Sequence, residues 1–197
     1  MISIEIFFWF MIFFFAMIGY LRGWQKEVIA LTGLVASIAA LQQFGFEIVQ
    51  VMTSLFSLDT TSEAWLRQQF WIQATFHLLI AFFSFQVVAR LAETAAGGRL
   101  GARLRSTLEK GIIGAFIGAI NGYLVVGTLW GFLEYQLTQN GYVRLGLEQT
   151  RYVFDPQYIT RPLDSAIAGW LPMAMFSPTI WLLLFFIAFF VVIVALI

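Results

Sequence analysis

The chain has 197 residues, 60% of them hydrophobic and 11% charged, and its mean hydropathy is +0.85, whereas soluble domains carry nearer ~25% charge. Eleven basic and eleven acidic residues leave no net charge, so the basic face that nucleic acid requires is missing. Cysteine is absent, which excludes disulfides, thiolate metal sites and cysteine nucleophiles.

These totals predict an all-α fold, a polytopic membrane helix bundle with about five transmembrane helices. The first span covers about Ile2 to Leu21. It lacks the basic leader and small-residue cleavage site of a signal peptide and is long enough to span, so it reads as an anchor that stays. Its phenylalanines (Phe7, Phe8, Phe10, Phe13, Phe14 and Phe15) point all round the helix, as expected of a surface largely in lipid. A short polar break follows. There Arg22 meets the negative end of the first helix, Gly23 can take a left-handed cap, and Glu27 meets the positive start of the second.

The second span starts at Val28 and carries Gly33, Ala36, Ser37, Ala39 and Ala40, a close-packing composition. It turns amphipathic near Gln42, Gln43 and Glu47, about 20–28 Å along by helical rise, which marks the far interface. Thr53 to Ser62 reads as a loop with N-cap candidates between Asp59 and Ser62. The third span covers about Trp71 to Ala92, after an interfacial turn containing Trp65 and Arg67. Glu93 to Lys110 is a polar connector, broken at Gly97-Gly98. Beyond that break Leu100, Leu104 and Leu108 alternate with Arg99, Arg103 and Arg105 as a basic amphipathic helix on the anionic leaflet.

Gly111 to Phe132 is the fourth span, 22 residues without a charge and long enough to cross a hydrocarbon layer of about 30 Å. Gly111, Gly114, Ala115, Gly118, Ala119 and Gly122 share one face at a period of 3.6 residues. Apolar surface alone gives helices little reason to associate in lipid, and a small-residue strip lets a second backbone come close. Gly127 and Gly131 repeat the spacing on the opposite face, so this helix is expected to be the buried one, with neighbours on two sides. The polar segment from Glu134 to Ser177 is punctuated by Asn140-Gly141, Asp155-Pro156, Arg161-Pro162 and Leu171-Pro172, with an interfacial helix expected over Leu163 to Met175. The fifth span, Thr179 to Ile197, is aliphatic and rich in phenylalanine. The expected organisation is thus a four-helix core over 1–133, an extracytoplasmic segment over 134–178 and an additional helix over 179–197.

Charge sets the expected orientation. Arg22, Lys26, Arg90, Arg99, Arg103, Arg105 and Lys110 crowd the connectors on one side, against Arg67, Arg144, Arg151 and Arg161 on the other. Cationic connectors stay in the cytoplasm, which puts the N-terminus outside and the C-terminus inside. Trp65, Trp71, Trp130, Trp170 and Trp181 all fall near the outer interface, an aromatic belt that agrees.

Two stretches resemble a known family. Gly19-Tyr20-Leu21-Arg22-Gly23-Trp24-Gln25-Lys26-Glu27, followed by an apolar run with Gly33, resembles the G-x-x-R-G-x-x-[KR]-E corner of the colicin V production (CvpA) family. Leu108 to Gly118 resembles that family's entry into its last shared helix, and Asn121-Gly122 takes the place of its usual [KR]-G step. Asp164-Ser165 and Leu171-Pro172 are similar to its C-terminal tail, so the likeness covers roughly residues 1–175. The resemblance implies a bacterial inner-membrane protein with about four helices, linked to peptide-toxin export and envelope upkeep. This chain departs from the pattern at Asn121 and in its fifth helix.

No metalloprotease, nucleotide-loop, nucleophile-elbow or cofactor-fingerprint pattern is present, so no catalytic residue and no metal site is assigned. His77 lies about 9 Å below the interface by helical rise. It is expected to be hydrogen-bonded within the bundle, with ligation of haem or a chlorophyll-type pigment as the alternative. Asn121, near the bilayer midplane, is expected to bond across helices. The alternative makes Asn121, Gln86 and His77 the lining of a polar path. Abundant packing surface with few reactive side chains predicts a non-catalytic accessory or scaffolding subunit of a larger membrane complex, energy-transducing or exporting, without a cofactor. Its expected partners are membrane lipids and other membrane subunits. A small transporter or export factor for a peptide or small solute is the alternative.

Overall fold

The structure, a computed structural model, describes residues 2–58, 62–88, 107–146, 153, 159–160 and 165–196. Its long helices are α1 (Ile4–Arg22), α2 (Trp24–Leu55), α3 (Ser62–Phe83, running on as a π-helical turn Ser84–Val88) and α4 (Thr107–Glu134). The short α5 (Pro172–Met175) and the apolar α6 (Pro178–Leu196) complete the set. By length and composition α1, α2 and the Gly111–Glu134 part of α4 can each cross a membrane, and α6 is apolar over Pro178–Val194. The protein is an all-α bundle, as the composition predicts. The basic amphipathic helix expected around Arg99, Arg103 and Arg105 lies outside the described residues, as do Asp59, Asp155-Pro156 and Arg161-Pro162.

One residue separates α1 from α2. Gly23 has φ 83° and ψ 155°, beyond the left-handed cap expected of it and in a region that is essentially glycine-only. Its N–H still closes the last turn on the Gly19 carbonyl at 2.9 Å. From this corner α1 runs back antiparallel along α4, and glycine sets the register. A Cβ built on Gly114 would meet the Gly19 carbonyl oxygen, one on Gly118 would lie 2.5 Å from the Phe15 carbonyl oxygen, and one on Gly122 would lie 2.7 Å from Phe15 Cβ. Gly111 faces the Tyr20 ring, while Ala115 and Ala119 are half-buried beside this line. On the opposite side of α4, Gly127 faces Pro172 and Gly131 faces Met173, so α4 does have neighbours on two sides. It shares the centre with α2, which is held between α3, α4 and α6.

The second and third helices are longer than their polar residues suggest. α2 continues to Leu55 through Gln42, Gln43 and Glu47, because Gln42 Nε2 donates to the Met173 carbonyl at 3.1 Å and finds its partner in protein. α3 begins at Ser62, a residue run earlier than Trp71, and includes Trp65 and Arg67. The segment after α4 opens with a β-hairpin of β2 (Tyr135–Thr138) and β3 (Gly141–Arg144), β1 being the two residues Ile2–Ser3 ahead of α1. Gly141, at φ 104°, supplies the positive angle its turn needs. Two further strand residues, Ile159–Thr160, pair in parallel with Ile2–Ser3 beneath α1.

The interfacial helix expected over Leu163 to Met175 is two pieces, a 3₁₀ turn Ala166–Trp170 and α5. Leu171 separates them in an extended conformation (φ −67°, ψ 147°), as the residue before a proline must. Tyr135 Oη donates to the Ala168 carbonyl and Trp181 Nε1 to the Pro172 carbonyl, both at 3.1 Å. These bonds seat the two pieces between the hairpin and α6. The bundle therefore has two distinct ends, a corner end at Gly23 and a hairpin end at Gly141.

Candidate functional site

Polar side chains inside a membrane bundle are costly to desolvate, so their positions show where a fold has a use for them. Glu27 and Asn121 are both fully buried. Arg22, at the end of α1, reaches across the corner and places Nη1 2.8 Å from Glu27 Oε1. Its Nη2 donates to the Phe85 carbonyl at 2.8 Å, and the guanidinium lies 4.9 Å from the centre of the Phe85 ring. From α4, Asn121 Nδ2 donates to Glu27 Oε2 at 2.8 Å and to the Glu27 carbonyl at 3.0 Å. One ion pair thus joins α1 to α2, and its two free valences join α4 and the π-helical end of α3. The corner charges read from the sequence as helix-end partners are in fact partners of each other.

A second buried group lies further along. The Ser37 hydroxyl and His77 Nδ1 are 2.9 Å apart, and the imidazole stands edge-on to Phe132 at 6.3 Å between centroids. Its Nε2 is buried and has no hydrogen-bond partner among the described residues. Asn121 Oδ1 and Thr128 Oγ1 on α4 are likewise buried without a partner. On α3, Gln69, Gln73, His77 and Ser84 form one buried stripe, with Ser84 Oγ bonded back to the Ile80 carbonyl at 2.7 Å.

Of the three residues considered for a polar path, Asn121 sits on Glu27, His77 sits on Ser37, and Gln86 is exposed. No hydrogen bond connects them to one another among the described residues. Ser37 occupies Nδ1 of His77, leaving Nε2 as the ring nitrogen that any ligand would have to use. Among the described residues no three His, Cys, Asp or Glu side chains converge as metal ligands.

The hairpin end has polar chemistry that the sequence reading missed. The Gln69 amide bonds the Leu137 backbone in both directions, Nε2 to the carbonyl at 2.9 Å and Oε1 from the N–H at 3.2 Å. The side chain thereby acts as one more strand partner for β2. Tyr142 Oη donates to Gln73 Oε1 at 2.6 Å, and Trp130 Nε1 donates to Glu134 Oε1 at 2.9 Å. Desolvation raises the pKa of the Tyr142 phenol above the ordinary tyrosine value. Asn140-Gly141, set between two short runs with apolar residues, is the hairpin signal that could have found this element.

Long apolar helices wrapped around inward-turned charge define a polytopic helical membrane protein. Within that class the chain belongs to the colicin V production protein family, whose profile matches residues 4–143. The matched range takes in α1 to α4 and the hairpin as far as Val143, so both the Arg22–Glu27 corner and Asn121 lie inside it. Asp164-Ser165, Leu171-Pro172 and α6 lie beyond it. Comparison with curated proteins and with solved structures returns no match. Apolar helices and family membership together fit a bacterial inner-membrane protein.

Proposed function

We propose that this protein is a non-catalytic accessory or scaffolding subunit of a larger bacterial membrane complex, of the energy-transducing or exporting kind. One observation carries the reading. The charges of the corner are turned inward on one another, while the outer faces of α1 and α6 present Phe10, Phe13, Phe14, Phe186 and Phe190, all exposed on the single chain. Chemistry within the bundle thus serves its own assembly, and the aromatic outer surface is available to neighbouring subunits. The glycine face of α4 has the same role inside the chain, letting α1 and α4 associate in lipid through backbone contact. No cofactor is assigned, and His77 acts as a hydrogen-bonded core residue.

Extraction of a tagged chain in a mild detergent tests this. The expected result is a stoichiometric set of co-purifying membrane proteins; monomers alone would end the proposal. The excess of basic residues in the connectors supports an orientation with the hairpin outside the cytoplasm. A cysteine introduced at Gly141 should then react with reagents that do not cross the membrane.

A small transporter is the second reading, favoured by the buried stripe Gln69–Gln73–His77–Ser84 and the unpaired polar atoms of Asn121 and Thr128 facing the same interior. Solute flux in proteoliposomes that is abolished by Asn121→Leu would put it first.

A further inference from the structure

The contact between α1 and α4, closed by glycine at the corner end, opens toward the hairpin end. Between α1, α3 and α4 lies a groove of about 660 Å³. Phe7 and Met11 form its α1 wall and Trp71 and Leu78 its α3 wall, with Ala74 and Val126 among its buried lining residues. Every side chain along it is apolar or aromatic. The indole N–H of Trp130, one of the two tryptophans lining it, is already given to Glu134. A ligand with carbonyl or ring heteroatoms would lose its hydrogen bonds to water along the groove and find only the Trp71 indole, at its outer end, to replace them. A hydrocarbon chain loses nothing.

Depth and charge narrow the occupant. The α1 wall from Ile4 to Phe15 is about 17 Å long at 1.5 Å per residue, close to half of a ~30 Å hydrocarbon core. The groove therefore runs the thickness of one leaflet. Trp71, exposed at the mouth, has the amphipathic ring that settles between chain and headgroup. One helical turn further out on the same face of α3 comes Arg67, and one turn beyond it Glu63, both exposed. This order of apolar groove, indole, cation and anion mirrors an acyl chain, glycerol region, phosphate and ammonium.

We infer that this groove is a binding site for one acyl chain of a zwitterionic phospholipid in the hairpin-side leaflet, its phosphate at Arg67. The site is separate from the Arg22–Glu27 corner, and it does not depend on the chain having protein partners.

Native mass spectrometry of the full chain tests this, after delipidation and incubation with an equimolar phosphatidylethanolamine and phosphatidylglycerol mixture. One retained phosphatidylethanolamine per chain is expected, lost in Ala74→Trp, which puts an indole into the groove from a buried lining position, and weakened in Arg67→Gln. Leu129→Phe, a smaller intrusion from the α4 side, replaces Ala74→Trp if that variant does not fold, with the same loss expected. Retention unchanged by the filling variants, no retained phospholipid, equal retention of the two lipids, or an isoprenoid quinone in the groove's place would each overturn the assignment.

Discussion

The two ends of the bundle solve one problem by opposite means. At the corner end, α1 and α4 touch backbone to backbone through Gly19, Gly114 and Gly118, and a buried ion pair ties in α2 and α3. At the hairpin end the same two helices are held apart by aromatic rings. Phe8 and Trp130 meet edge-on at 5.4 Å between centroids, and amide, phenol and indole–carboxylate hydrogen bonds stand in place of an ion pair. Lipid offers little hydrophobic drive for helices to associate, so each end needs specific contact. The corner relies on close approach and charge, which tolerate little change. The hairpin end relies on many moderate contacts and leaves room for a groove.

The sharpest way to break this contrast is at the ion pair. Arg22→Ala strands a fully buried Glu27 carboxylate with Asn121 as its remaining side-chain partner, and removing one member of a buried pair costs about 3–5 kcal/mol. Glu27→Ala should cost less, because the Arg22 side chain is 22% exposed and keeps the Phe85 carbonyl. Replacing both by methionine should recover much of the loss, since apolar substitutes for a buried pair are often near neutral. Unfolding of the three variants in detergent micelles gives the comparison. Single variants within ~0.5 kcal/mol of the parent would show a solvated pair and remove the difference between the ends.

How far these contacts could be read from the sequence depended on their reach. The small-residue face of α4 is local, so its period shows in the sequence; its partner Gly19 was visible only as part of a corner motif. Arg22 and Glu27 are five apart across a chain reversal, which no single-helix spacing describes, and they read as two independent helix-end charges. Asn121 is correctly read as bonding across helices, yet its partner Glu27 is 94 residues distant, beyond any pattern. The third span is expected from Trp71, after a turn with Trp65 and Arg67, whereas the helix begins at Ser62. Gln69 and Gln73 are buried because hairpin atoms satisfy their amides, a tertiary effect that overrides local polarity.

Glycine substitutions sharpen the contrast with a smaller effect. At Gly114 an added methyl meets the Gly19 carbonyl of a neighbouring helix, an obstacle that cannot rotate aside. Gly114→Ala should therefore cost near the top of the ~1–3 kcal/mol typical of overpacking. At Gly131 the same methyl meets Met173 Cγ at 2.9 Å and Cβ at 3.2 Å, side-chain atoms that can shift further than a helix carbonyl. Alanine also gains about 0.8–1.0 kcal/mol of helix propensity over glycine, so Gly131→Ala should cost less than Gly114→Ala. Equal thermal shifts for the two in the same micelle would mean that the α1–α4 approach is no tighter than that of α4 and α5.

The smallest effect belongs to the hairpin. Tyr142→Phe removes one hydrogen bond to Gln73 Oε1, and the expected loss is about 0.5–1.5 kcal/mol at neutral pH. Alkali should shrink the difference between parent and variant. With the phenol pKa raised in the folded state, the folded chain holds its proton above pH ~10, where an unfolded tyrosine gives it up. Stability from this group is therefore complete below that pH and falls as pH rises beyond it. The variant has no phenol to titrate here, so the gap between the two should narrow from pH ~9 to ~11 in unfolding measurements. A gap independent of pH would place the Tyr142 hydroxyl in water, and the hairpin would then be packed onto α3 by the Gln69–Leu137 bonds without it.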